Sequence, residues 1–179
     1  MTRTICLHGP ESTGKTTLGP LLAEALGGIY VAEFGRTWSE AKGIGFTMTD
    51  LVAIAKGHIA DLREALNRRP DYIVSDTDPL KTAVWAEMLF GERDPWFDRF
   101  RDTADLYLMF DIDLPWVADG TRMFGTEALR TRFFELSKKE LERRHLAWTM
   151  VGGHGRSRFD NAMHAIRRAE ARGWAAEAA

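Results

Sequence analysis

The chain has one cysteine, Cys6, in 179 residues. It can form no internal disulfide, and its place inside an apolar run marks it as a reduced core thiol. No stretch approaches the roughly 20 apolar residues of a membrane-spanning helix. Nor is there a leader-like stretch with a cleavage site, so a cytoplasmic location is the default expectation. An excess of one charge is missing as well. With 24 basic and 26 acidic residues the net charge is −2, which gives no general field for nucleic acid or an acidic membrane surface. The short basic pairs Arg143–Arg144 and Arg167–Arg168 lie in helical patterns and read as solvated helix faces. His58 and His154 have no second His or Cys at ligand spacing, so no structural zinc site is expected. Repeats, low-complexity tracts and linkers are also lacking. Residues 1–179 are therefore expected to form one domain, long enough to bury roughly 70% of its unfolded surface.

Five apolar runs suit strands: 4–9, 28–34, 71–76, 105–111 and 146–152. Segments of helical spacing separate them. Residues 15–26 form one such segment. Residues 47–69 form another, with Thr47 or Thr49 as its cap. A helix follows Asp78, which can cap it while Pro79 takes the first helical position, and 126–144 and 156–172 complete the pattern. Strands alternating with helices predict an α/β fold, a five-stranded parallel sheet flanked by helices.

"GPESTGKTT" (9–17) fits the phosphate-binding pattern G-x-x-x-x-G-K-[ST] through Gly9, Gly14, Lys15 and Thr16. A strand precedes it and a helix follows. Glycines let backbone N–H groups converge on phosphate oxygens, and the helix N-terminus adds positive potential. The whole loop, including Glu11, Ser12, Thr13 and Thr17, is expected to hold ATP. Lys15 would reach the β- and γ-phosphates, and the Thr16 hydroxyl would ligate Mg2+. Water, a small molecule and a partner protein all remain as acceptors of the γ-phosphate at this point.

Ligands of an open parallel sheet bind beyond the carboxyl ends of its strands. Gly9, Glu33 and Asp76 each fall at such an end and should face one crevice. Asp76 is the expected metal-associated acid. Asp78, two residues on, is a helix cap that can also face substrate. In "VAEFGR" (31–36), Glu33 can accept a proton from an attacking hydroxyl or position it. Arg36 can contact substrate or orient Glu33, unless the two are an ion pair at a helix start. "PWVADGTRMFG" (115–125) reads as a lid anchored at Trp116 and Val117, turning at Gly120 and bringing Arg122 to the transferred phosphoryl group. Trp85 can stack on a flat ligand or belong to the core. "GGHGRSRFDNA" (152–162) offers Arg156 and Arg158 to a base, or is a flexible turn.

In order along nearly the whole chain, "GPESTGKTT", "AEFGR", "GH" (57–58), "DTD" with "KTAVW", and "PWVADGTR" resemble the kinase domain of NadR-type nicotinamide riboside kinases. The resemblance implies use of ATP and magnesium to phosphorylate the ribose 5′-hydroxyl of nicotinamide riboside. It implies roles for Lys15 and Thr16 at ATP and magnesium, with Glu33 beside the ribose and Asp76 assisting at the metal. Trp116, Asp119 and Arg122 would belong to the lid and the substrate side. Such proteins commonly carry an adenylyltransferase domain upstream, whereas this chain opens on the phosphate-loop strand. That activity is expected to lie elsewhere. An aromatic residue is also expected just before the acid of "EFGR", where this chain has Ala32. Phe34, Trp38, Trp85 or Trp116 would have to replace it. The partner expected is a small nucleoside, with no nucleic acid, membrane or obligate protein partner. The competing class is an ATPase or nucleotide-dependent switch, which Lys15, Thr16 and Asp76 alone would serve; a kinase of another nucleoside or a sugar is a third.

Overall fold

The computed structural model describes residues 1–174. Five parallel strands run β1 (Arg3–His8), β2 (Ile29–Val31), β3 (Tyr72–Asp76), β4 (Leu106–Phe110) and β5 (Trp148–Val151), in the spatial order β2-β3-β1-β4-β5. The helices are α1 (Lys15–Ala25), α2 (Phe34–Lys42), α3 (Met48–Asn67), α4 (Pro79–Phe90), α5 (Pro95–Arg99), α6 (Glu127–Arg143) and α7 (Arg156–Ala171). The expected α/β fold is present, with every strand and helix read from the sequence placed to within a few residues.

Alternation along the strands divides the core. Ile5 and Leu7 of β1 pack with Leu22 of α1 and Ile166 of α7 on one face. Cys6 and Tyr107 point the other way, against Leu80 of α4 and Leu141 of α6. Each large side chain buried this way contributes roughly 1.5–3 kcal/mol, and both faces are covered, as a parallel sheet requires.

Two helices differ from the sequence reading. The run 28–34 was expected to be strand throughout, but β2 stops at Val31 and α2 begins at Phe34, with Glu33 at its N-cap. Helix α2 sets Phe34 and Trp38 four residues apart against the core. It is only nine residues long and none of them is fully buried, so its apolar stripe is too short to mark a helix. The five-residue α5 is held from outside: Arg144 donates to the carbonyls of Phe97 and Phe100 at 2.8 and 2.7 Å. Beneath it, buried Glu140 accepts from Arg93, Arg143 and Arg144.

Register positions the site. Leu7 lies opposite Asp76 and Val31 opposite Ser75. The chain therefore leaves β1 into the phosphate loop, β2 into Glu33 and β3 into Asp76 at one edge of the sheet.

Candidate active site

The phosphate loop turns on two glycines in the left-handed region, Gly9 at φ +116° and Gly14 at φ +85°. At Gly9 a Cβ would sit 2.9 Å from the Phe110 carbonyl oxygen, so no other residue fits. Lys15 is buried, and its ammonium folds back onto the Pro10 carbonyl and the Thr13 hydroxyl, the latter at 3.1 Å. Burial, then the nearby Lys81 charge, pushes its pKa down to about 7. Thr13 donates to the Pro10 carbonyl at 2.9 Å. Thr16 and Thr17 lie exposed on the first turn of α1.

Glu11 and Ser12 face the segment 115–125. Glu11 Oε2 accepts from the N–H groups of Met123 and Phe124 at 3.0 and 3.3 Å. Ser12 Oγ donates to the Pro115 carbonyl at 3.2 Å and accepts from the Val117 N–H at 2.9 Å. Arg122 adds a bond to Ser12 Oγ at 3.4 Å and also donates to the Val117 carbonyl. These two loop residues, expected at ATP, hold the neighbouring segment.

The two aspartates at the end of β3, Asp76 on its last position and Asp78 just beyond, divide the work. Between them Thr77 has φ +92°, a conformation rare for a β-branched residue. Asp76 is fully buried; Oδ2 accepts from the Tyr30 hydroxyl of β2 at 3.0 Å, and Oδ1 has no hydrogen-bond partner. A buried carboxylate oxygen of that kind, together with the exposed Thr16 hydroxyl, is a hard-oxygen donor set that suits magnesium. Asp78 instead caps α4, accepting from the N–H groups of Leu80 and Lys81 at 3.0 and 3.3 Å. Its other oxygen accepts from Tyr107 at 2.6 Å. Burial pushes its pKa up to about 6. Asp78 is thus the helix cap expected of it, and it does not line either cavity described below.

Glu33 has a partner that the sequence reading missed. Lys81, in the first turn of α4 and 2% exposed, places Nζ 2.7 Å from Glu33 Oε1. Burial by itself would raise the Glu33 pKa. The charge and hydrogen bond of Lys81, with Lys15 and Arg36 beyond, hold it below the usual carboxylate range. Arg36 was expected to orient Glu33 or meet substrate, yet it bonds Asp119 at 3.0 Å. Asp119 also takes Arg122 Nε at 3.1 Å and the Thr121 hydroxyl at 2.9 Å. Its burial would raise the carboxyl pKa, but these bonds, the Thr121 N–H foremost, lower it strongly.

Two cavities meet at Glu33. One is lined by the phosphate loop from Glu11 to Thr17, with Lys81, Arg36 and Arg122. The other has Phe46, Leu51, Ile54 and Trp85 as apolar walls, and Ser39, Arg36 and Thr82 as polar ones. Trp85 serves both readings, since it lines this cavity and also packs on Phe124 with ring centroids 4.9 Å apart. Trp116 is on neither wall; it lies against Gly125, where a Cβ would come within 2.8 Å of its ring. Ala32 and Phe34 open on a different groove beside β2, and Trp38 packs against Phe34 with Lys42 over its face. Phe46 is the aromatic wall that sequence reasoning did not name. Its signal was faint: one Phe in the loop ahead of α3.

Behind the loop, Arg158 is buried; its two terminal nitrogens donate to the Asp113 carboxylate and to the carbonyls of Gly153 and Asp111, while its Nε has no hydrogen-bond partner. Arg156 is exposed and lies over the Phe159 ring at 5.1 Å. Cys6, His8 and Asp78 converge within 4.8 Å in the core. Both His8 ring nitrogens lack partners, and burial plus the Lys81 and Lys15 charges lowers its pKa to about 3, so it is neutral.

A phosphate loop between β1 and α1, a parallel sheet with β1 at its centre and a second carboxylate on β3 define a P-loop nucleoside-triphosphate-binding fold. Residues 4–158 match the family model of an AAA domain, and the chain belongs to that family. It is 30% identical over 155 residues to the trifunctional NAD biosynthesis/regulator protein NadR of Escherichia coli (strain K12). That match covers 83% of this chain and 38% of the relative, so the chain spans well under half of that protein's length. Among solved structures, NadR protein in complex with NR superposes with TM-score 0.75 at 23% identity, covering 93% of this chain and 51% of that one. Thymidylate kinase from Ehrlichia chaffeensis gives TM-score 0.67 at 14% identity, covering 95% and 98%.

Proposed function

We propose that the protein is an ATP-dependent kinase that phosphorylates a nucleoside hydroxyl, with nicotinamide riboside as acceptor and its mononucleotide as product. The observation that carries this reading is the position of Glu33, a half-buried carboxylate where a cation-lined phosphate cavity meets an aromatic-walled one. An ATPase needs the first cavity only. A carboxylate facing both suits a second substrate whose hydroxyl must be aimed at the γ-phosphate. The relatedness to NadR, and the NR complex of the structural neighbour, favour nicotinamide riboside among nucleosides.

In this reading the phosphate loop and Lys15 hold the triphosphate. Arg122 brings positive charge from the lid, residues 115–125, to the transferred group. The acceptor oxygen bonds to the γ-phosphorus as the bond to the β–γ bridging oxygen breaks, ADP leaves, and the hydroxyl proton passes to Glu33. Asp76 and Thr16 would hold Mg2+, which neutralises phosphate charge when bound. Phe46 and Trp85 offer apolar faces to the acceptor's ring; for a cationic ring such contact is worth up to about 2 kcal/mol when desolvated.

The test is incubation with ATP, Mg2+ and a panel of nucleosides. Formation of nicotinamide mononucleotide in preference to other products supports the reading. Phosphorylation of a different nucleoside keeps the kinase and replaces the substrate. ATP hydrolysis indifferent to every nucleoside, and unchanged in Glu33→Gln, would establish the ATPase class instead.

A further inference from the structure

Lys81 has no evident work to do in the fold. Helix α4 is already capped by Asp78, and its inner face is filled by Leu80, Ala83, Val84 and Ala86. Lysine is almost never buried unless paired. Here the ammonium lies in the wall of the phosphate cavity, 2.7 Å from Glu33 Oε1, with Asp76 and Glu11 adding negative potential. A buried pair of this kind adds little net stability compared with apolar residues of the same volume. Its location, where the two cavities join, points to chemistry.

We propose that Lys81 is a positioning residue for phosphoryl transfer: by holding Oε1, it fixes Glu33 as an ionised acceptor whose Oε2 receives the acceptor hydroxyl. This rests on the kinase reading above and deepens it. The groups acting on Glu33 come from every neighbouring element. Lys81 of α4, Lys15 at the loop's end and Arg36 of α2 favour its charged form. Glu11 of the loop opposes it, and Tyr30 of β2 and His58 of α3 are neutral neighbours, with Asp76 beyond, held by Tyr30. Cations dominate, and Lys81 is the nearest.

The consequence concerns timing. A carboxylate held below its ordinary pKa is a weaker base, so Glu33 aims the hydroxyl before it takes the proton. It takes the proton only as the new P–O bond makes that hydroxyl acidic. A loose transition state, in which bond formation lags bond cleavage, demands no more.

Two readouts test the assignment: a 13C NMR titration of the Glu33 carboxyl in the free protein, assigned with Glu33→Gln, and the pH profile of kcat. In Lys81→Met the Glu33 midpoint should rise and the acid limb of kcat should move to higher pH. The rate should fall on the order of a hundredfold, with KM for ATP little changed. Lys81→Arg should restore most of the rate and the wild-type limb. Lys81→Gln keeps a donor and similar volume and carries the same expectation if the Met variant does not fold. A folded neutral variant whose midpoint and acid limb coincide with wild type overturns the proposal. If the wild-type protein phosphorylates no acceptor, the kinase reading fails by itself. The midpoint then still decides the pairing: moved for it, unmoved against it.

Discussion

Arg36 of α2 and Asp119 of the 115–125 segment meet at 3.0 Å, and the same Asp119 carboxylate holds Arg122 at 3.1 Å. One side chain thus sets the spacing of two guanidinium groups that line the phosphate cavity. Asp119→Ala should release both. The pair is solvent-accessible, so stability should change by no more than about 1 kcal/mol. Loss of preorganised charge should lower kcat/KM about tenfold or more. Steady-state kinetics beside a thermal melt checks this, and equal losses in both would assign Asp119 to folding.

Lys15 gives a prediction in protons. Its pKa in the free protein is pushed down to about 7 by burial and by Lys81. A bound triphosphate favours the charged form and raises that pKa. Binding must then take up a proton at pH values between the free and bound pKa, and affinity must fall as pH rises through that window. Calorimetry in buffers of different ionisation heat should show uptake approaching about one proton per nucleotide near pH 8 and little near pH 6. Lys15→Arg should abolish the difference.

At Asp76, Oδ1 is buried without a partner while Oδ2 is fixed by Tyr30. Asp76→Asn should lower kcat on the order of a thousandfold and raise the Mg2+ concentration needed for half-maximal rate. Tyr30→Phe leaves the carboxylate but frees it to turn, so a smaller loss, about tenfold, is expected. A magnesium titration of both variants separates the effects, and an unchanged magnesium requirement in Asp76→Asn would remove the metal role.

Gly57 on α3 faces the Phe34 ring so closely that a Cβ would lie 2.5 Å from it. Gly57→Ala should displace Phe34 and with it the start of α2, next to Glu33. Overpacking of this kind costs roughly 1–3 kcal/mol. Denaturant melts should show that loss, and kcat should fall further than ATP affinity.

The "GH" pair at 57–58 shows how sequence and fold divide the information. In the sequence it was part of a resemblance with no stated cause. The structure supplies one: Gly57 admits Phe34, and His58 Nε2 bonds Ser75 Oγ at 2.8 Å, just before Asp76. Strands and long helices were legible because burial imposes a periodicity on neighbours in the chain. Helix α2 was not, since nothing on it is fully buried. The phosphate loop and the placement of Glu33 and Asp76 followed from local pattern and the rule of strand ends. Partners far along the chain did not: Lys81 lies 48 residues from Glu33, and Asp119 lies 83 from Arg36. A lone lysine in a helix and an aspartate in a loop carry no mark of what they will face.

Glu11 and Ser12 occupy positions that the phosphate-loop pattern leaves to any residue, and they spend their side chains on the 115–125 segment. The loop therefore carries two kinds of information: a fixed part set by the phosphate pattern and a variable part fitted to this chain's own 115–125 segment. A phosphate loop transplanted from a relative would keep the phosphate pattern and lose its fit to residues 115–125. Chimeras at these two positions would lose the bonds that hold residues 115–125 to the loop.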